Sequence, residues 1–353
     1  MFGLMRADRS ARARRSLIWG ASLQVAAVLG ASSAWAAARA AGVQESTPAA
    51  PLLRQFNLEG LSIDLKDIHA GGPPKDGIPA LTNPKTVAAT QARFLQAGDR
   101  VVGVKIGEHA RAYPIRVLNW HEVINDTLGT TPIAVIYCPL CDSVSVVDRR
   151  ISKDKTIEFG ISGLLLNSNV LLYDRTDQVL WSQVGLSAVS GPHAGKSLVH
   201  LPWEIVTFGE WRKAHPKGTV VTLNTGHRRD YQRNPYADYF ATDRLRFPVA
   251  RLDDRLPPKT RVVGIRLGAV TRAYPIERVA GTVKHRVEDE IGGKLLVLEA
   301  DATAATIRLI QMPEGAQVVY TFWFAWAAFH PQTQIFGEIP EPAPLATQPS
   351  SSR

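Results

Sequence analysis

An internal repeat constrains the fold of this chain more than any other feature of its sequence. Segment 101–115 returns as 262–276, with nine of the fifteen positions identical. Each copy contains an apolar, β-branched run, a Gly and a second run that ends in Tyr-Pro, which predicts a β-hairpin. A Trp that precedes a His-Pro pair follows each copy, at Trp211 and at Trp326. We therefore expect two related halves in tandem.

The two predicted halves differ in length. From Ile115 to Trp211 the chain advances 96 residues, whereas from Ile276 to Trp326 it advances only 50. The additional residues of the first half coincide with the region of the only two cysteines and the segment that follows them. We therefore expect the second half to be a scaffold copy and the first half to carry the functional site.

The two cysteines, Cys138 and Cys141, form a C-x-x-C pair between two predicted strands. Residues 132–137 are a short apolar run rich in Ile and Val, which predicts a buried strand. Residues 143–148 alternate and are β-branched, so they predict a second strand rather than the helix that follows a thioredoxin-like pair. The pair is thus predicted to form the turn of a β-hairpin.

Three interpretations of this pair remain open from the sequence. A structural disulfide closing so small a loop would contribute only about 2 kcal/mol. A thiol–disulfide couple is chemically reasonable because two thiols this close exchange intramolecularly, with Cys138 as the expected attacking thiol. Two thiolates are also half of a tetrahedral zinc site or the core of a low-coordinate Cu(I) site. The first interpretation predicts no chemistry, and the other two do.

A metal site would need ligands beyond the cysteines, because the chain has no second C-x-x-C. His121, predicted to lie one strand before the pair, is the main candidate for an additional ligand or proton partner. A histidine of this kind is also often no more than a hydrogen-bonded residue, and His285 lies at a similar place in the second half without cysteines. Asp142, which follows Cys141, is a weaker candidate ligand.

Polar side chains after the cysteines are candidates to line a cleft. Asn167 and Asn169 flank a predicted turn, where they either close a hairpin or hydrogen-bond a ligand beside the cysteines. Tyr173 follows in the next predicted strand, where a structural contact is the alternative to a ligand contact. His227 lies in an aromatic-rich loop that could cap the cleft.

The Gly- and Pro-rich segment 71–80 predicts a rigid, ordered loop, because such residues exclude a helix or a central strand. It either connects an N-terminal strand to a predicted helix at 84–96 or forms one wall of a binding cleft. Beyond the cysteines, residues 155–160 and 170–175 predict two further strands.

The first 36 residues predict an export signal. Five arginines precede an apolar stretch and an Ala-Trp-Ala cleavage pattern, and Arg14-Arg15 loosely matches a twin-arginine signal. We expect export to the periplasm or the cell exterior by the Sec or twin-arginine route. The predicted organisation is a signal, a flexible segment, a first half with the C-x-x-C insertion, a shorter second half and a disordered tail, at 1–36, 37–60, 61–250, 251–337 and 338–353.

Composition excludes little else. The formal charge of +9 includes five arginines and one aspartate from the predicted signal, and no basic stripe with interleaved aromatics follows. We therefore expect no nucleic-acid partner and, after signal cleavage, no integral membrane span. A hydrophobic content of 45% and a charged content of 21% are ordinary for a globular protein.

Six segments carry a resemblance to a known family. They are Gly71–Ala80, Arg111–Ile115, Asn119–Glu122, Tyr137–Cys141, Asn167–Asn169 and Trp181–Gln183. Together and in this order they resemble family 3179 of the domains of unknown function. The family pattern has Gly after the second cysteine, where this chain has Asp142. An aspartate can adopt the left-handed backbone of such a turn, though less easily than glycine.

The resemblance implies a domain but no reaction. We predict a β-rich α+β fold of two pseudo-repeated halves, built from antiparallel strands with a few short helices. The favoured function is binding of a soft metal, copper or zinc, at the C-x-x-C turn, with an unknown metal-transfer or redox partner. The alternatives are a thiol–disulfide oxidoreductase that uses the same pair, and a binding module in which the loops around Gly71 and His227 hold a small ligand or protein.

Overall fold

The computed structural model describes residues 49–282 and 285–338, and these residues belong to one structural unit. The predicted signal, the first part of the predicted flexible segment and the predicted tail beyond 338 lie outside the described residues. No helix in the described ranges is both long enough and apolar enough to cross a bilayer.

The described residues form 21 strands and six short α-helices. The strands are β1 Ile68–Ala70, β2 Leu81–Thr82, β3 Thr86–Ala88, β4 Arg100–Ile106, β5 His109–Pro114, β6 Val123–Leu128, β7 Thr131–Cys138, β8 Ser143–Asp148, β9 Phe159–Leu166, β10 Asn169–Asp174, β11 Leu180–Ser182, β12 Ser187–Ala188, β13 Glu204–Thr207, β14 Thr219–Val221, β15 Arg261–Leu267, β16 Val270–Pro275, β17 Arg286–Ile291, β18 Lys294–Asp301, β19 Thr306–Gln311, β20 Gln317–Phe322 and β21 Gln334–Ile335. The helices are α1 Ala50–Leu53, α2 Ile115–His121, α3 Phe208–Ala214, α4 Ala237–Phe240, α5 Ile276–Ala280 and α6 Trp323–Phe329. The predicted β-rich α+β class is confirmed.

The repeated sequence folds as two matching hairpins. Strands β4 and β5 pair antiparallel, as do β15 and β16. In each hairpin a glycine lies under a tryptophan from the helix that closes the repeat. A Cβ on Gly103 would lie 2.4 Å from the Trp211 ring, and one on Gly264 would lie 2.1 Å from the Trp326 ring. The shared Gly and Trp of the sequence repeat are therefore one packing contact that occurs twice.

The two halves interlock. The meander β6–β7–β8 of the first half joins the hairpin sheet of the second half, in the strand order β2-β6-β7-β8-β20-β15-β16-β21. The meander β17–β18–β19 of the second half joins the hairpin sheet of the first, in the order β17-β18-β19-β13-β4-β5-β14-β3. Each meander joins the sheet of the other half through its last strand. β8 pairs with β20, and β19 pairs with β13, at equivalent positions in the two halves. Both sheets therefore cross the predicted boundary between residues 250 and 251.

The additional residues of the first half build a third sheet. Its strand order is β1-β9-β10-β11-β12, and most of it lies between β8 and β13, where the second half has only the short connection 312–316 between β19 and β20. All residues of β9 and β10 are buried. One set of apolar side chains from β9 and β10 packs in one cluster with side chains of β7 and β8 and with both cysteines; the set is Phe159, Ile161, Leu165, Val170 and Leu172. The insertion thus covers the cysteine hairpin.

Two predicted elements need correction. The helix predicted at 84–96 is wrong: Thr86–Ala88 is a strand paired with β14, followed by a 3₁₀ helix at Ala89–Gln91. The strand predicted at 155–160 begins later, at Phe159, because it pairs with β10 through a hairpin. Within the predicted flexible segment, the side chains of Leu53 and Phe56 are buried against β9 and β10.

Candidate functional site

The C-x-x-C pair forms the turn of the β7–β8 hairpin. Cys138 is the last residue of β7 and pairs across the hairpin with Ser143. The Cys141 N–H donates to the Cys138 carbonyl at 3.1 Å, which closes the turn. Asp142 then adopts a φ of 44°, in the left-handed region where the family pattern has glycine. The hairpin predicted from the sequence is confirmed.

Asp142 fixes this turn from its buried side. Its carboxylate receives Arg100 Nη1 at 3.2 Å and Arg261 Nε at 2.8 Å, and the Tyr137 hydroxyl donates to it at 3.0 Å. Burial alone would raise the pKa of Asp142, but the two guanidinium groups lower it below its ordinary value. Both carboxylate oxygens have partners within the protein, and Asp142 does not line the cavity described next. It therefore contacts arginines where the sequence suggested a weak metal ligand.

A cavity of about 190 Å³ lies on one side of the cysteine turn. It is lined by Gly71, Pro73, Ile78, Glu122, Cys138, Leu140, Ile161, Gly163, Leu164, Leu165, Val170, Tyr236, Arg246 and Phe247. All of these residues belong to the predicted first half. Cys138 lines the cavity, whereas Cys141 does not and is fully buried. The two sulfurs are therefore not equivalent.

The surroundings of the two sulfurs distinguish them chemically. Burial alone would raise the pKa of Cys138, but hydrogen bonds from the Cys141 thiol and from the backbone N–H groups of Val170, Cys141 and Leu140 lower it. Burial raises the pKa of Cys141 well above its ordinary value, and its hydrogen bond to Cys138 and the nearby charge on Cys138 raise it further. The single hydrogen of the Cys141 thiol has a second acceptor within reach, the Ser168 carbonyl, 3.3 Å from Cys141 Sγ. Cys138 thus favours the thiolate and Cys141 the thiol.

Glu122 places a carboxyl group in the same cavity. It follows α2, and its carbonyl accepts the Tyr137 N–H at 2.7 Å, so it lies beside the end of β7. Its φ of 55° is uncommon for a residue with a side chain and is held by the tertiary structure. Burial, followed by the charge on Cys138, raises the pKa of Glu122 well above its ordinary value. In this cavity the pKa of the Cys138 thiol is therefore lowered and that of the Glu122 carboxyl group is raised.

The segment after β14 covers the open side of the cavity. Tyr236 donates a long hydrogen bond of 3.5 Å to Glu122 Oε1, and the Tyr239 hydroxyl donates to the Leu140 carbonyl at 2.8 Å. Arg246 lies over both tyrosine rings, 5.8 Å and 5.0 Å from their centroids. This segment thus brings two phenols and one guanidinium to the cysteine turn.

Loop 71–80 forms the opposite wall. The Gly71 N–H donates to the Gly163 carbonyl, and the Asp76 N–H donates to the Ile161 carbonyl, each at 2.8 Å. Gly163 has a φ of +80°, and a Cβ at that position would lie 2.4 Å from the Pro73 carbonyl. Tyr173, a predicted ligand contact, instead donates its hydroxyl hydrogen to Asp76 and so holds this loop from outside the cavity.

The predicted histidines form a neighbouring but separate cluster. His121 is fully buried, with Nδ1 2.8 Å from the Pro79 carbonyl and Nε2 2.7 Å from the Tyr231 hydroxyl. Since a carbonyl only accepts, Nδ1 carries the hydrogen and Nε2 accepts from Tyr231. Burial lowers the pKa of His121 to about 4, so the ring is neutral at pH 7. The His227 ring lies 5.2 Å from that of His121, and neither residue lines the cavity.

Asn167 and Asn169 hold the turn between β9 and β10. Asn167 and Ser168 both have positive φ, as in a two-residue hairpin turn, and Asn167 Oδ1 accepts the Ala250 N–H at 2.9 Å. Asn169 Nδ2 donates to Gln183 Oε1 at 2.7 Å, and its side chain also hydrogen-bonds Cys141. Asn169 is therefore beside the cysteines as predicted, with partners from the protein itself.

The donor set of this region fits some metals better than others. Among the described residues, no group of three or more His, Cys, Asp or Glu side chains is placed to hold a metal ion. A structural zinc site needs four ligands, so the protein side chains do not fit zinc. Cu(I) accepts two thiolates, and the two sulfurs are close enough to hydrogen-bond one another.

The comparisons with known proteins agree with the six motifs. The family described as protein of unknown function (DUF3179) matches residues 75–321. The chain belongs to this family. The DUF3179 segment contains both cysteines and every residue that lines the cavity except Gly71 and Pro73. Searches of curated proteins and of solved structures found no match.

The sequence did not assign three residues to the cavity: Glu122, Tyr236 and Arg246. Glu122 lies in one of the six family motifs, and Tyr236 follows His227 in the aromatic-rich loop that was predicted to cap the cleft. The position of Glu122 was within reach of the sequence, because counting back from the β6–β7 turn places it opposite Tyr137. Tyr236 and Arg246 come from an irregular segment far along the chain, and no periodic pattern locates such a segment above a particular strand.

Proposed function

We propose that this protein is a thiol–disulfide oxidoreductase in which Cys138 is the attacking thiolate and Cys141 the resolving thiol. One observation carries the proposal: only Cys138 lines the cavity, where its hydrogen bonds favour the thiolate, while Cys141 is sealed behind it as a thiol. The thiolate is the nucleophile in such exchanges, so this asymmetry assigns the two roles.

The first step joins Cys138 to the substrate. The Cys138 thiolate attacks one sulfur of a small disulfide, the substrate S–S bond breaks, and a mixed disulfide forms. The second substrate sulfur leaves as a thiolate and takes the proton of the Glu122 carboxyl group, which lines the same cavity. Glu122 then regains from solvent the proton that Cys138 released when it ionised.

The second step closes the protein disulfide. Cys141 Sγ attacks Cys138 Sγ, with which it is already in hydrogen-bond contact. The first substrate sulfur leaves and takes the proton that Cys141 loses. Overall, one substrate disulfide is reduced to two thiols, and the two cysteine thiols are oxidised to one disulfide. The reverse sequence oxidises a dithiol.

We further propose that this exchange takes place outside the cytosol. The export signal predicted at 1–36 supports this location, and disulfides persist in exported compartments. A redox partner protein would reset the pair after each exchange.

Binding of Cu(I) between the two sulfurs is the second candidate, supported by their proximity. One experiment separates the two. The native protein is purified anaerobically, its metal content and thiols are counted, and the Cys141→Ser variant is treated with a small disulfide. A metal-free protein and a mixed disulfide trapped on Cys138 support exchange. Stoichiometric copper that is lost in Cys138→Ser, with no trapped adduct, overturns it.

A further inference from the structure

The cavity beside Cys138 is too small for a large substrate. Pockets that hold drug-sized ligands measure about 300–1,000 Å³, whereas this one measures about 190 Å³. Loop 71–80 closes one side through the hydrogen bonds of Gly71 and Asp76, and the segment with Tyr236 closes the other. A molecule that reaches Cys138 must therefore be small or present a narrow end.

Among the described residues that line this small space, Arg246 is the one cation. The side chain of Arg246 is half-buried and lies over the rings of Tyr236 and Tyr239. Within the described part of the chain, none of the ion pairs includes Arg246. A guanidinium held by aromatic rings keeps its charge and its fork of N–H donors for another partner.

The charged groups near Arg246 do not supply a second cation to the cavity. Lys259 Nζ lies 3.4 Å from the Tyr239 ring centroid and donates to the Tyr239 and Thr242 carbonyls. It does not line the cavity. Of the lining residues that the structure describes, Glu122 is the one with an acidic side chain, and its raised pKa favours the uncharged form. Arg246 and Cys138 thus line the same cavity.

We infer that Arg246 binds the anionic group, most simply a carboxylate, of a small thiol-reactive substrate and thereby orients it toward Cys138. This inference rests on the proposed reactivity of Cys138. Arg246 would be a specificity-determining residue, since its guanidinium matches the planar, two-oxygen geometry of a carboxylate.

A pair of alkylating reagents tests the charge preference directly. Iodoacetate and iodoacetamide are nearly isosteric, but only iodoacetate is an anion. The rate constant of each reagent with Cys138 is measured in the intact folded protein by mass spectrometry. The iodoacetate rate constant is divided by the iodoacetamide rate constant, and this ratio is divided by the same ratio for the unfolded chain. We expect the normalised ratio to exceed one in the wild type and to fall as salt is added.

The variants define the role of Arg246. We expect Arg246→Gln to lower the ratio about tenfold, equivalent to about 1.4 kcal/mol, and Arg246→Lys to retain most of it. The control is Arg233→Gln, which removes one exposed positive charge from the same segment and should leave the ratio unchanged. Should Arg246→Gln fail to fold, the salt dependence of the wild-type ratio decides.

The possible failures are distinguishable. If neither reagent labels Cys138 in the folded protein, the proposed reactivity and this inference are both wrong. If both reagents label Cys138 but the ratio is the same in the wild type, Arg246→Gln and the unfolded chain, only the anion preference is wrong.

Discussion

Arg261 donates its Nε hydrogen to Asp142 at 2.8 Å, although the two residues come from different halves of the sequence repeat. Arg100 is the first residue of β4 as Arg261 is the first residue of β15, and its Nη1 contacts the same carboxylate at 3.2 Å. Matching positions of the two copies thus meet at one buried charge. The cysteine turn is attached to both halves at this point.

Asp142→Asn should destabilise the fold. The substitution leaves two guanidinium groups without their counter-charge, which costs about 3–5 kcal/mol in buried pairs. Denaturant unfolding measures the change, with Asp154→Asn, an exposed aspartate, as the control. A free energy of unfolding for Asp142→Asn equal to that of the control would contradict the assigned role.

The ion pairs of Asp142 with Arg100 and Arg261 also predict how the stability of the wild type depends on pH. The folded pKa of Asp142 lies below its ordinary value, which is about 3.9 in an unfolded chain. The ion pairs therefore contribute fully above about pH 4, and their contribution is lost as the pH falls through the lower folded pKa. We expect the free energy of unfolding of the wild type to decline in acid more steeply than that of Asp142→Asn. If the free energies of unfolding of the wild type and Asp142→Asn fell in parallel as the pH decreases, Asp142 would not be stabilised as a carboxylate by the two arginines.

Gly264→Ala tests the repeated packing contact. The new methyl group would overlap the Trp326 ring, and overpacking of this kind costs about 1–3 kcal/mol. Gly98→Ala is a matched control because its Cβ would meet nothing within 4 Å. Thermal unfolding should separate the two variants, and Gly103→Ala should resemble Gly264→Ala. Equal stability of Gly264→Ala and Gly98→Ala would argue against the close approach.

Gly163→Ala should open the cavity. A Cβ there would collide with the Pro73 carbonyl and push loop 71–80 away from β9. If closure of the loop weakens by 1–2 kcal/mol, alkylation of Cys138 by iodoacetamide should accelerate roughly 5–30-fold. Gly195→Ala is the control. Gly195 has a similar φ of +81° but open space around its Cβ position, so this variant introduces the backbone strain without the collision. Acceleration in both variants would assign the effect to general destabilisation.

Glu122→Gln should separate two reactions of the same thiolate. We expect the reaction of Cys138 with a small aliphatic disulfide to slow by roughly 10²-fold, because the leaving thiolate loses its proton donor. Alkylation by iodoacetamide should stay near the wild-type rate, since iodide leaves without a proton.

The pH profile adds a second check on Glu122. Its raised pKa extends the acid form to a higher pH than in an ordinary carboxyl group, and that form is lost as the pH rises through the folded pKa. The disulfide rate of the wild type should therefore gain an alkaline limb that Glu122→Gln lacks. Equal slowing of both reactions would indicate damage to Cys138 rather than loss of a proton donor.

Local patterns predicted the hairpins well. The repeat located β4–β5 and β15–β16, and the alternation after Cys141 located β8, because period-two patterns report a strand with a buried face. The helix predicted at 84–96 failed because Thr86–Ala88 pairs with β14, more than a hundred residues away, and tertiary pairing overrides local preference.

The exchange of meanders between the halves and the composition of the cavity were beyond the sequence. Burial patterns show which face of β8 or β19 is apolar but not which edge strand it meets, so β20 and β13 could not be assigned as partners. His121 was the natural candidate beside the cysteines. The helix that ends at His121 turns its ring to Pro79 and Tyr231, and brings Glu122, the next residue, to the cavity instead.

The most direct test of the account is the reactivity of each cysteine as a function of pH. The reduced, folded protein is treated with iodoacetamide in short pulses, and the label on Cys138 and Cys141 is quantified separately by mass spectrometry. We predict that Cys138 is labelled with an apparent pKa below that of an ordinary thiol, about 8.5, and that Cys141 is labelled only after unfolding. Labelling of Cys141 before Cys138, or an apparent pKa of Cys138 above the ordinary value, would contradict the account.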